Sequence, residues 1–571
     1  MTQPATPTPP AAAPPHGTPP PYPASTSPAA SPAAAAAVRA RKPAPDSSVK
    51  ETLESILVAF ILAFVFRAFV VEAFVIPTGS MAPTLLGAHM RFRCNDCGYQ
   101  FDANYSPEQT AGGDDLYIPT RAKPGQRRRD VWCPNCGYKI PSQDPIDPDN
   151  AAESPPVHYG DRILVLKYLY LFQQPQRWDV VVFKSPDREQ NFGAPTYTQN
   201  YIKRLIGRPG ESILILDGDI YVGQGDEDVT HYKVQTKPRY VQEAIWRVIY
   251  DNDYYPHGVP RVDGTTWKQP WTVQDGSGWN LGDSPTTGRV FHFDNKSGAS
   301  TLAFDAKANV NQRAFTDWLA YDVEVTPANN VVHDLKLAFV YDRSAGDGPL
   351  RAKLTSADDQ FIAEFTPTDA RLVHVSPKGE ETIGRAKLPT DRKPVRVELT
   401  NCDYQVTLRI NDVDIARTTP EQFHPDVPAL LEAYKNHEKH AVPTVELSAA
   451  NQAAALSHVG LWRDVYYINR VPPGVGAQLV WAVPSDLPRS VMHLGPEEYF
   501  VLGDNSLISG DARYWNVPID LPADELQVRS GRVPGRFLLG RAFFVYWPAG
   551  FRPTSNMPGL APNFGDMRFI R

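Results

Sequence analysis

The stretch Tyr201–Val222 reads YIKRLIGRPGESILILDGDIYV. Its short runs of β-branched and aromatic residues are interrupted by glycine and proline, which is typical of strands joined by tight turns. The same pattern occurs upstream in DRILVLKYLY and WDVVVFKSP, and near the carboxyl end in RAFFVYWP. The sequence therefore predicts a mainly β protein.

Lys203 is a polar residue inside this apolar stretch. It follows Tyr201 and Ile202 and precedes Arg204. Because successive strand residues point to opposite faces, we expect Lys203 to point inward and Arg204 to point outward. Burial disfavours a charged ammonium, so an inward lysine can serve as a base near neutral pH. An ordinary strand lysine is the alternative interpretation.

A second stretch, FVIPTGSMAPTLL at Phe74–Leu86, places Ser80 between a glycine and a methionine. A serine hydroxyl is a poor nucleophile unless a base takes its proton. Lys203 is one candidate for that base. His158 and His493 lie near the strand runs, but neither has an obvious catalytic context.

Five ordered blocks resemble those of type I signal peptidases, the membrane-anchored serine proteases that remove signal peptides. The blocks are IPTGSMAPTL, YGDRILVLKY, YIKRLIGRPGE, YFVLGDNSLISGDARYWNVP and LLGRAFFVYWP. The resemblance implies a β catalytic domain and a mechanism that needs no cofactor. One departure is Asn516, which stands where the family usually has glycine.

The resemblance also implies roles for individual residues. Ser80 would be the nucleophile, Lys203 the general base, and Ser509 the hydroxyl that orients the lysine. The Ser80 backbone N–H and the Thr78 hydroxyl would stabilise the oxyanion. A supporting polar network would contain Asp504, Asn505, Asp511 and Arg513, for which a salt-bridged turn is an equally good interpretation.

Apolar residues flank the expected dyad and are candidates for lining the substrate pockets. Some of them could equally belong to the core. They are Ile76, Pro77, Met81, Leu85, Tyr201 and Ile202.

The amino-terminal region predicts a membrane anchor. Residues 1–49 are rich in Pro, Ala, Ser and Thr, which predicts a disordered tail. Residues 50–72 are apolar enough to predict one transmembrane helix. Arg39, Arg41, Lys42 and Lys50 favour a cytoplasmic amino terminus and an extracytoplasmic catalytic domain at the cell membrane. A cleaved signal peptide is the competing interpretation.

The blocks divide the rest of the chain into a catalytic domain and two insertions. The catalytic domain is expected over 73–92, 139–222 and 488–571. The first insertion is expected over 93–138 and the second over 223–487.

The first insertion contains two C-x-x-C pairs, each followed by Gly-Tyr. Four thiolates at this spacing predict a structural zinc ribbon. Disulfides are the alternative, because the segment is expected outside the cytoplasm. The cysteines are Cys94, Cys97, Cys133 and Cys136, whereas Cys402 stands alone.

The second insertion alternates strands and turns, as in VELTNCDYQVTLRINDVDI and VGLWRDVYYI, which predicts a β-sandwich over about 240–470. These segments resemble concanavalin-like jelly rolls, including laminin-G-like modules, which implies a possible glycan or protein ligand. The sandwich could instead support the protease or restrict access to it. We expect it to fold alone and its excision to leave the dyad assembled.

The sequence thus predicts a membrane-bound serine endopeptidase whose partners are signal-peptide-bearing preproteins and a lipid bilayer. The formal charge of −7 on 571 residues predicts no nucleic-acid partner. One rival hypothesis is a surface-anchored binding protein with an inactive protease scaffold. Another is a self-cleaving Ser–Lys repressor. The intact Ser80, Lys203 and Ser509 argue against the first, and the anchor with the Ser-Met pair argues against the second.

Overall fold

The computed structural model describes most of the chain outside the amino-terminal tail. The described residues are 48–104, 131–140, 157–186, 199–225, 227–261, 264–309, 313–322, 329–388, 393–438, 440–470, 478–516, 518–521, 526–548 and 563–570. The predicted disordered tail therefore lies outside the described residues up to position 47, and a helix begins at Ser48.

The structure is mainly β, as the sequence predicts. The α-helices are α1 Ser48–Phe69, α2 Leu169–Phe172, α3 Arg239–Ile245 and α4 Val427–Asn436. The strands before α3 are β1 Val71–Val75, β2 His89–Arg93, β3 Gln100–Asn104, β4 Val157–His158, β5 Arg162–Leu166, β6 Val180–Lys184, β7 Asn200–Gly207, β8 Glu211–Leu216, β9 Asp219–Gln224 and β10 Lys233–Val234.

The remaining strands follow α3. They are β11 Arg247–Asp251, β12 Trp271–Gly276, β13 Trp279–Asn280, β14 Val290–Phe304, β15 Leu335–Gly346, β16 Leu350–Ser356, β17 Asp359–Phe365, β18 Asp369–Ser376, β19 Gly379–Lys387, β20 Val395–Cys402, β21 Gln405–Ile410, β22 Val413–Arg417, β23 Val445–Arg463, β24 Met492–His493, β25 Glu498–Leu502, β26 Ile519–Leu521, β27 Leu526–Val528, β28 Val533–Pro534, β29 Leu538–Trp547 and β30 Arg568–Phe569.

One sheet brings distant parts of the sequence together. Its strand order is β1-β5-β29-β6-β7-β25-β28, with β30 beside β29. Strand β7 lies antiparallel between β6 and β25, and Val181 pairs with Lys203. A second sheet has the order β10-β9-β8-β24. Both edges of β7 are therefore paired, and its two faces are also covered, since Lys203 and Arg204 on opposite faces are both buried.

The second insertion forms a 13-stranded sheet with its own large core. Its longest strand, β23, pairs with β11, β14, β15 and β16. Aromatic side chains such as Trp271, Phe291 and Phe339 are almost completely buried in this core. Alternating inward residues along these strands account for the sheet's stability.

The chain divides into two compact units, residues 1–62 and 63–571. Helix α1 begins in the first unit, and its large apolar side chains are 46–66% exposed between Leu53 and Val65. In its first turns Lys50 and Glu54 form an exposed ion pair at 3.6 Å.

Among the helices of the described residues, none has the length and apolar character that crossing a bilayer requires. The structure thus differs from the transmembrane helix that the sequence predicts over 50–72.

The end of α1 also differs from the sequence-based boundary. The helix stops at Phe69, and Val71 and Glu72 already belong to β1. They pair with Leu166 and Val165 of β5. β-Branched residues fit a paired strand better than a helix end, which explains why the helix ends early.

Candidate active site

Ser80 and Lys203 meet in a buried position. Ser80 lies in a 3₁₀ turn, Gly79–Met81, and Lys203 lies in the middle of β7. The distance between Lys203 Nζ and Ser80 Oγ is 2.8 Å, although 123 residues separate them in sequence. Only 7% of Ser80 and 5% of Lys203 is exposed. This distance allows a proton to pass directly between hydroxyl and amine.

The surroundings favour the neutral form of the lysine. Burial lowers the pKa of Lys203 to about 8, against an ordinary value of 10.5. The carboxylates of Asp511 and Asp504 oppose this shift, and the Arg513 guanidinium adds to it. Desolvation exceeds the carboxylate attraction, so the amine is partly neutral near physiological pH.

The expected outward position of Arg204 is wrong. Arg204 is fully buried, and its Nε and Nη2 each donate a 2.6 Å hydrogen bond to Asp504. The Thr84 hydroxyl also donates to Asp504, at 2.5 Å. Arg204 does point away from Lys203, but that face of β7 is covered as well. A bidentate pair compensates both charges there.

The other network residues are also buried. Arg513 donates from Nε and Nη2 to Asp511, both at 2.8 Å. It also donates to the Ser506 hydroxyl at 2.9 Å, a contact that the sequence analysis missed. Asn505 donates its backbone N–H to the Ser80 carbonyl at 3.0 Å. All four predicted network residues therefore lie around the Ser80–Lys203 pair.

Ser509 and Thr78 occupy different positions relative to the pair. Thr78 is exposed, and its hydroxyl lies 3.5 Å from Ser80 Oγ. Ser509 is buried, and its hydroxyl has no hydrogen-bond partner among the described residues. A Cβ at Gly503 would lie 2.2 Å from Ser509 Oγ and 2.4 Å from the Ser80 carbonyl oxygen. Glycine at 503 thus permits both serines to approach this turn.

The residues expected to line substrate pockets differ in accessibility. Ile76, Met81 and Leu85 lie in the core with at most 2% exposure. Their burial agrees with the alternative interpretation that these residues belong to the core. Pro77 is exposed, and Tyr201 and Ile202 are half-buried, so these three are better placed to touch a substrate.

The second insertion supplies residues beside the serine turn, which the sequence analysis did not anticipate. Asn505 Nδ2 donates to Asp322 Oδ1 at 2.7 Å and to the Gly79 carbonyl at 3.3 Å. A Cβ at Gly79 would lie 2.5 Å from the Tyr321 ring. Arg247 donates to the Ala82 carbonyl at 2.7 Å. No local pattern marks these residues, because their role depends on how the insertion packs.

These contacts alter the expectation for excising the sandwich. Independent folding of 240–470 stays a prediction. Excision would, however, remove the Tyr321 ring and the Asp322 carboxylate from the serine turn. The second insertion is therefore part of the environment of the dyad.

The four paired cysteines converge. Cys94 Sγ and Cys136 Sγ are 3.6 Å apart, as are Cys97 Sγ and Cys133 Sγ. All four sulfurs lie within 4.8 Å of one another. Tetrahedral zinc with bonds of about 2.3 Å separates its sulfurs by ~3.8 Å. The donor set therefore fits zinc, whereas a disulfide requires a separation of about 2.05 Å.

Each cysteine pair forms the same backbone turn. Gly98 N–H donates to the Cys94 carbonyl, and Gly137 N–H donates to the Cys133 carbonyl, both at 2.9 Å. Both glycines have positive φ, 75° and 68°. Glycine adopts that conformation without steric cost, which explains the Gly after each pair. The turns orient two thiols each toward one centre.

The cysteine cluster also contacts the second insertion. Asn135 accepts from the Asp251 N–H at 2.7 Å, and Asp96 accepts from the Val259 N–H at 3.0 Å. Arg261 donates to the Cys136 carbonyl at 2.6 Å. The two insertions therefore pack against each other.

Comparison with known families identifies a signal-peptidase-like region. A family model described as signal peptidase, peptidase S26, matches residues 49–104 and 144–287. These ranges contain Ser80 and Lys203. They extend into the second insertion and do not include Ser509.

Three curated relatives show the extent of the similarity. Signal peptidase I of Leptolyngbya laminosa is 35% identical over 89 residues, covering 15% of this chain and 41% of the relative. Signal peptidase I of Rickettsia typhi is 25% identical over 213 residues, covering 37% of this chain and 56% of the relative. Thylakoidal processing peptidase 1 of Arabidopsis thaliana is 28% identical over 104 residues, covering 17% and 31%. The chain thus spans less than two thirds of each relative, and the matches support a hydrolase of the signal peptidase class.

Solved structures with some similarity include two carbohydrate-active proteins. The carbohydrate-binding module CBM66 from Bacillus subtilis has a TM-score of 0.21 and 11% identity, covering 34% of this chain and 95% of its own. The laminarinase from Rhodothermus marinus has a TM-score of 0.25 and 11% identity, covering 38% and 98%. Scores this low support no conclusion about a ligand.

Proposed function

We propose that this protein is a membrane-associated serine endopeptidase that removes amino-terminal signal peptides from exported preproteins. The observation that carries the proposal is the 2.8 Å separation of Ser80 Oγ and Lys203 Nζ in a buried site. The lowered pKa of Lys203 supports it, because a base must be neutral to accept a proton. The matches to signal peptidases supply the substrate class.

In the first half of the proposed reaction, Ser80 Oγ attacks the scissile carbonyl carbon while its proton passes to Lys203 Nζ. The carbonyl oxygen becomes an oxyanion, toward which the Ser80 N–H and the Thr78 hydroxyl would donate. When the C–N bond breaks, the Lys203 ammonium gives its proton to the leaving amine. The product is an acyl-enzyme on Ser80 and the released mature protein.

In the second half, a water molecule attacks the acyl carbon and Lys203 accepts the water proton. The C–Oγ bond then breaks, and the proton returns from the lysine to Ser80. Ser509 is proposed to orient the amine through its hydroxyl. Its buried Oγ has no hydrogen-bond partner among the described residues, which leaves it available for that role.

We also propose that helix α1 attaches the protein to a membrane, with an extracytoplasmic catalytic domain. The exposed apolar side chains of α1 support this, since such surface is unfavourable in water. Replacing Phe60 and Phe64 by lysine in the full chain should release it from membranes during alkaline extraction. Unchanged membrane retention of that variant would contradict the attachment.

The cysteine cluster is proposed to hold one structural zinc, and the second insertion to be a jelly-roll-type sandwich. Zinc would join the two cysteine turns, and no proton transfer at Ser80 depends on it. A glycan or protein ligand of the insertion stays a prediction.

The decisive experiment measures cleavage of a model preprotein by the full chain in detergent. Ser80→Ala and Lys203→Ala should each abolish cleavage, and the double variant should be little worse, because nucleophile and base act as one unit. Lys203→Arg should also be inactive, since guanidinium does not lose its proton.

Lys184→Ala is a matched control, because Lys184 is a half-buried lysine on the adjacent strand β6. It should keep normal cleavage. Substantial activity of a folded Lys203→Ala protein would refute the dyad. Cleavage at internal sites of mature proteins but not at signal peptides would refute the substrate class while leaving the dyad intact.

A further inference from the structure

A small cavity lies where the turn between β8 and β9 meets the second insertion. It has a volume of ≈ 20 Å³, enough for one water molecule or ion. Its polar lining includes Asp217, Asp219, His333, Asp334 and Asn401. The cavity is separate from the serine turn and from the cysteine cluster.

Two donor groups, Asp217 and His333, line this cavity, and a third, His440, lies beside them. Atoms of Asp217, His333 and His440 all lie within 4.8 Å of one another. His333 Nε2 lies 3.8 Å from Asp217 Oδ2, and His440 Nε2 lies 3.4 Å from Asp217 Oδ1. A tetrahedral zinc ion with bonds of about 2.1 Å separates its ligands by ~3.4 Å. The separation of 3.4 Å to His440 equals this value, and the separation of 3.8 Å to His333, from the other carboxylate oxygen, is somewhat longer.

Direct hydrogen bonding explains the arrangement less well. An imidazole bonded to a carboxylate normally shows a separation of about 2.7–3.2 Å. Both contacts with Asp217 are longer. Two imidazoles therefore face opposite oxygens of one carboxylate at distances that suit a shared cation.

Unpartnered polar atoms give an independent indication of a ligand. Asn401 is 2% exposed and lines the cavity, and its Oδ1 has no hydrogen-bond partner among the described residues. Buried polar atoms without partners are costly, so a water bound to an ion in the cavity would satisfy Asn401 Oδ1.

The charge balance points the same way. Asp219 and Asp334 line the cavity beside Asp217. The nearby buried cation, Lys237, forms its ion pairs with Asp403 and Asp464 instead. No Lys or Arg of the described residues forms an ion pair with Asp217, Asp219 or Asp334, although Lys237 attracts Asp219 and Asp334 from a greater distance.

We propose that Asp217, His333 and His440 bind one divalent transition-metal ion of the zinc class. Imidazole nitrogen and carboxylate oxygen are among the donors that zinc prefers. Asp217 follows β8, His333 precedes β15 and His440 precedes β23. The ion would thus cross-link the turn after β8, in the β10-β9-β8-β24 sheet, to two loops of the second insertion, with a fourth position open to water.

The test is metal binding by the full chain, stripped with a chelator and reloaded with Zn²⁺ alone. Wild type should retain one zinc equivalent more than the His333→Ala/His440→Ala variant after removal of excess metal. Zinc should also raise the Tm of wild type more than that of the variant. His458→Ala is the matched control, because His458 is an exposed histidine of the same insertion that pairs with Asp253.

Asp217→Asn provides a second variant if the histidine substitutions disturb folding. Loading with Co²⁺ separates this site from the cysteine cluster, because only thiolate ligands give intense sulfur-to-metal charge-transfer absorption. The absorption that the Asp217→Asn variant loses relative to wild type should lack the sulfur-to-metal charge-transfer band. Equal metal content in wild type and both folded variants, or a loss confined to thiolate absorption, would overturn the proposal.

Discussion

Protonation of Lys203 should control the pH dependence of cleavage. Burial lowers the pKa of this lysine to about 8, and Asp511 and Asp504 keep it from falling further. In the proposed mechanism the neutral amine is the base, so protonation at lower pH would remove it. Activity should therefore fall as the pH drops below about 8 and level off above it.

The size of the effect follows from a single titration. At pH 7 about one tenth of the molecules would hold neutral Lys203, so deprotonating the amine would cost ~1.4 kcal/mol. The value of kcat/KM should fall about tenfold for each pH unit below 8, reaching ~1% of its plateau at pH 6. An unperturbed lysine would instead place the limb near its ordinary value of 10.5.

The assay is kcat/KM for a peptide without titratable groups, cleaved by the full chain in detergent between pH 5.5 and 9.5. Circular dichroism at each pH should show that the fold is unchanged. Asp511→Asn should shift the limb to lower pH, because that carboxylate raises the pKa of Lys203. A flat profile from pH 6 to 9, or a limb near 10.5, would refute the role of the buried lysine.

Three further predictions concern the insertions. Asp322→Ala should lower kcat/KM for a preprotein about tenfold, because it removes the acceptor of an Asn505 hydrogen bond worth ~1–2 kcal/mol. Asp322→Asn should keep most of the activity, because its amide oxygen can still accept that bond. Equal losses in both variants would show that the charge of Asp322 matters instead. Cys94→Ser should lower the zinc content by one equivalent in metal analysis while Cys402→Ala leaves it unchanged, and unaltered zinc in the former would exclude the cysteine cluster. Replacing 240–470 by a short Gly/Ser loop should abolish peptide cleavage, because the loop lacks the contacts with the serine turn. This differs from the sequence-based expectation that excision leaves the dyad assembled. Full activity of the shortened chain would show that these contacts are dispensable.

Local sequence patterns were sufficient for several features. The alternating β-branched runs predicted a mainly β protein, and the structure is mainly β. The Ser80 and Lys203 stretches could be recognised because each block is continuous in the chain. The two C-x-x-C-G-Y turns could be recognised for the same reason, since a cysteine turn and its positive-φ glycine are set within five residues.

Only the tertiary structure decided which residues surround these blocks. Strand alternation correctly separates Lys203 from Arg204, but it cannot say whether the opposite face is covered. The sheet order places β25 beside β7, and that neighbour brings Asp504 to Arg204 across 300 residues of sequence.

The same limit applies to the second insertion. Asp322 reaches Asn505 across 183 residues, and Asp217 meets two histidines of the second insertion. Such contacts depend on the packing of whole sheets, whose free energy is spread over many buried side chains. A strand's own sequence determines which of its side chains share a face, whereas the neighbouring strands determine what those side chains touch.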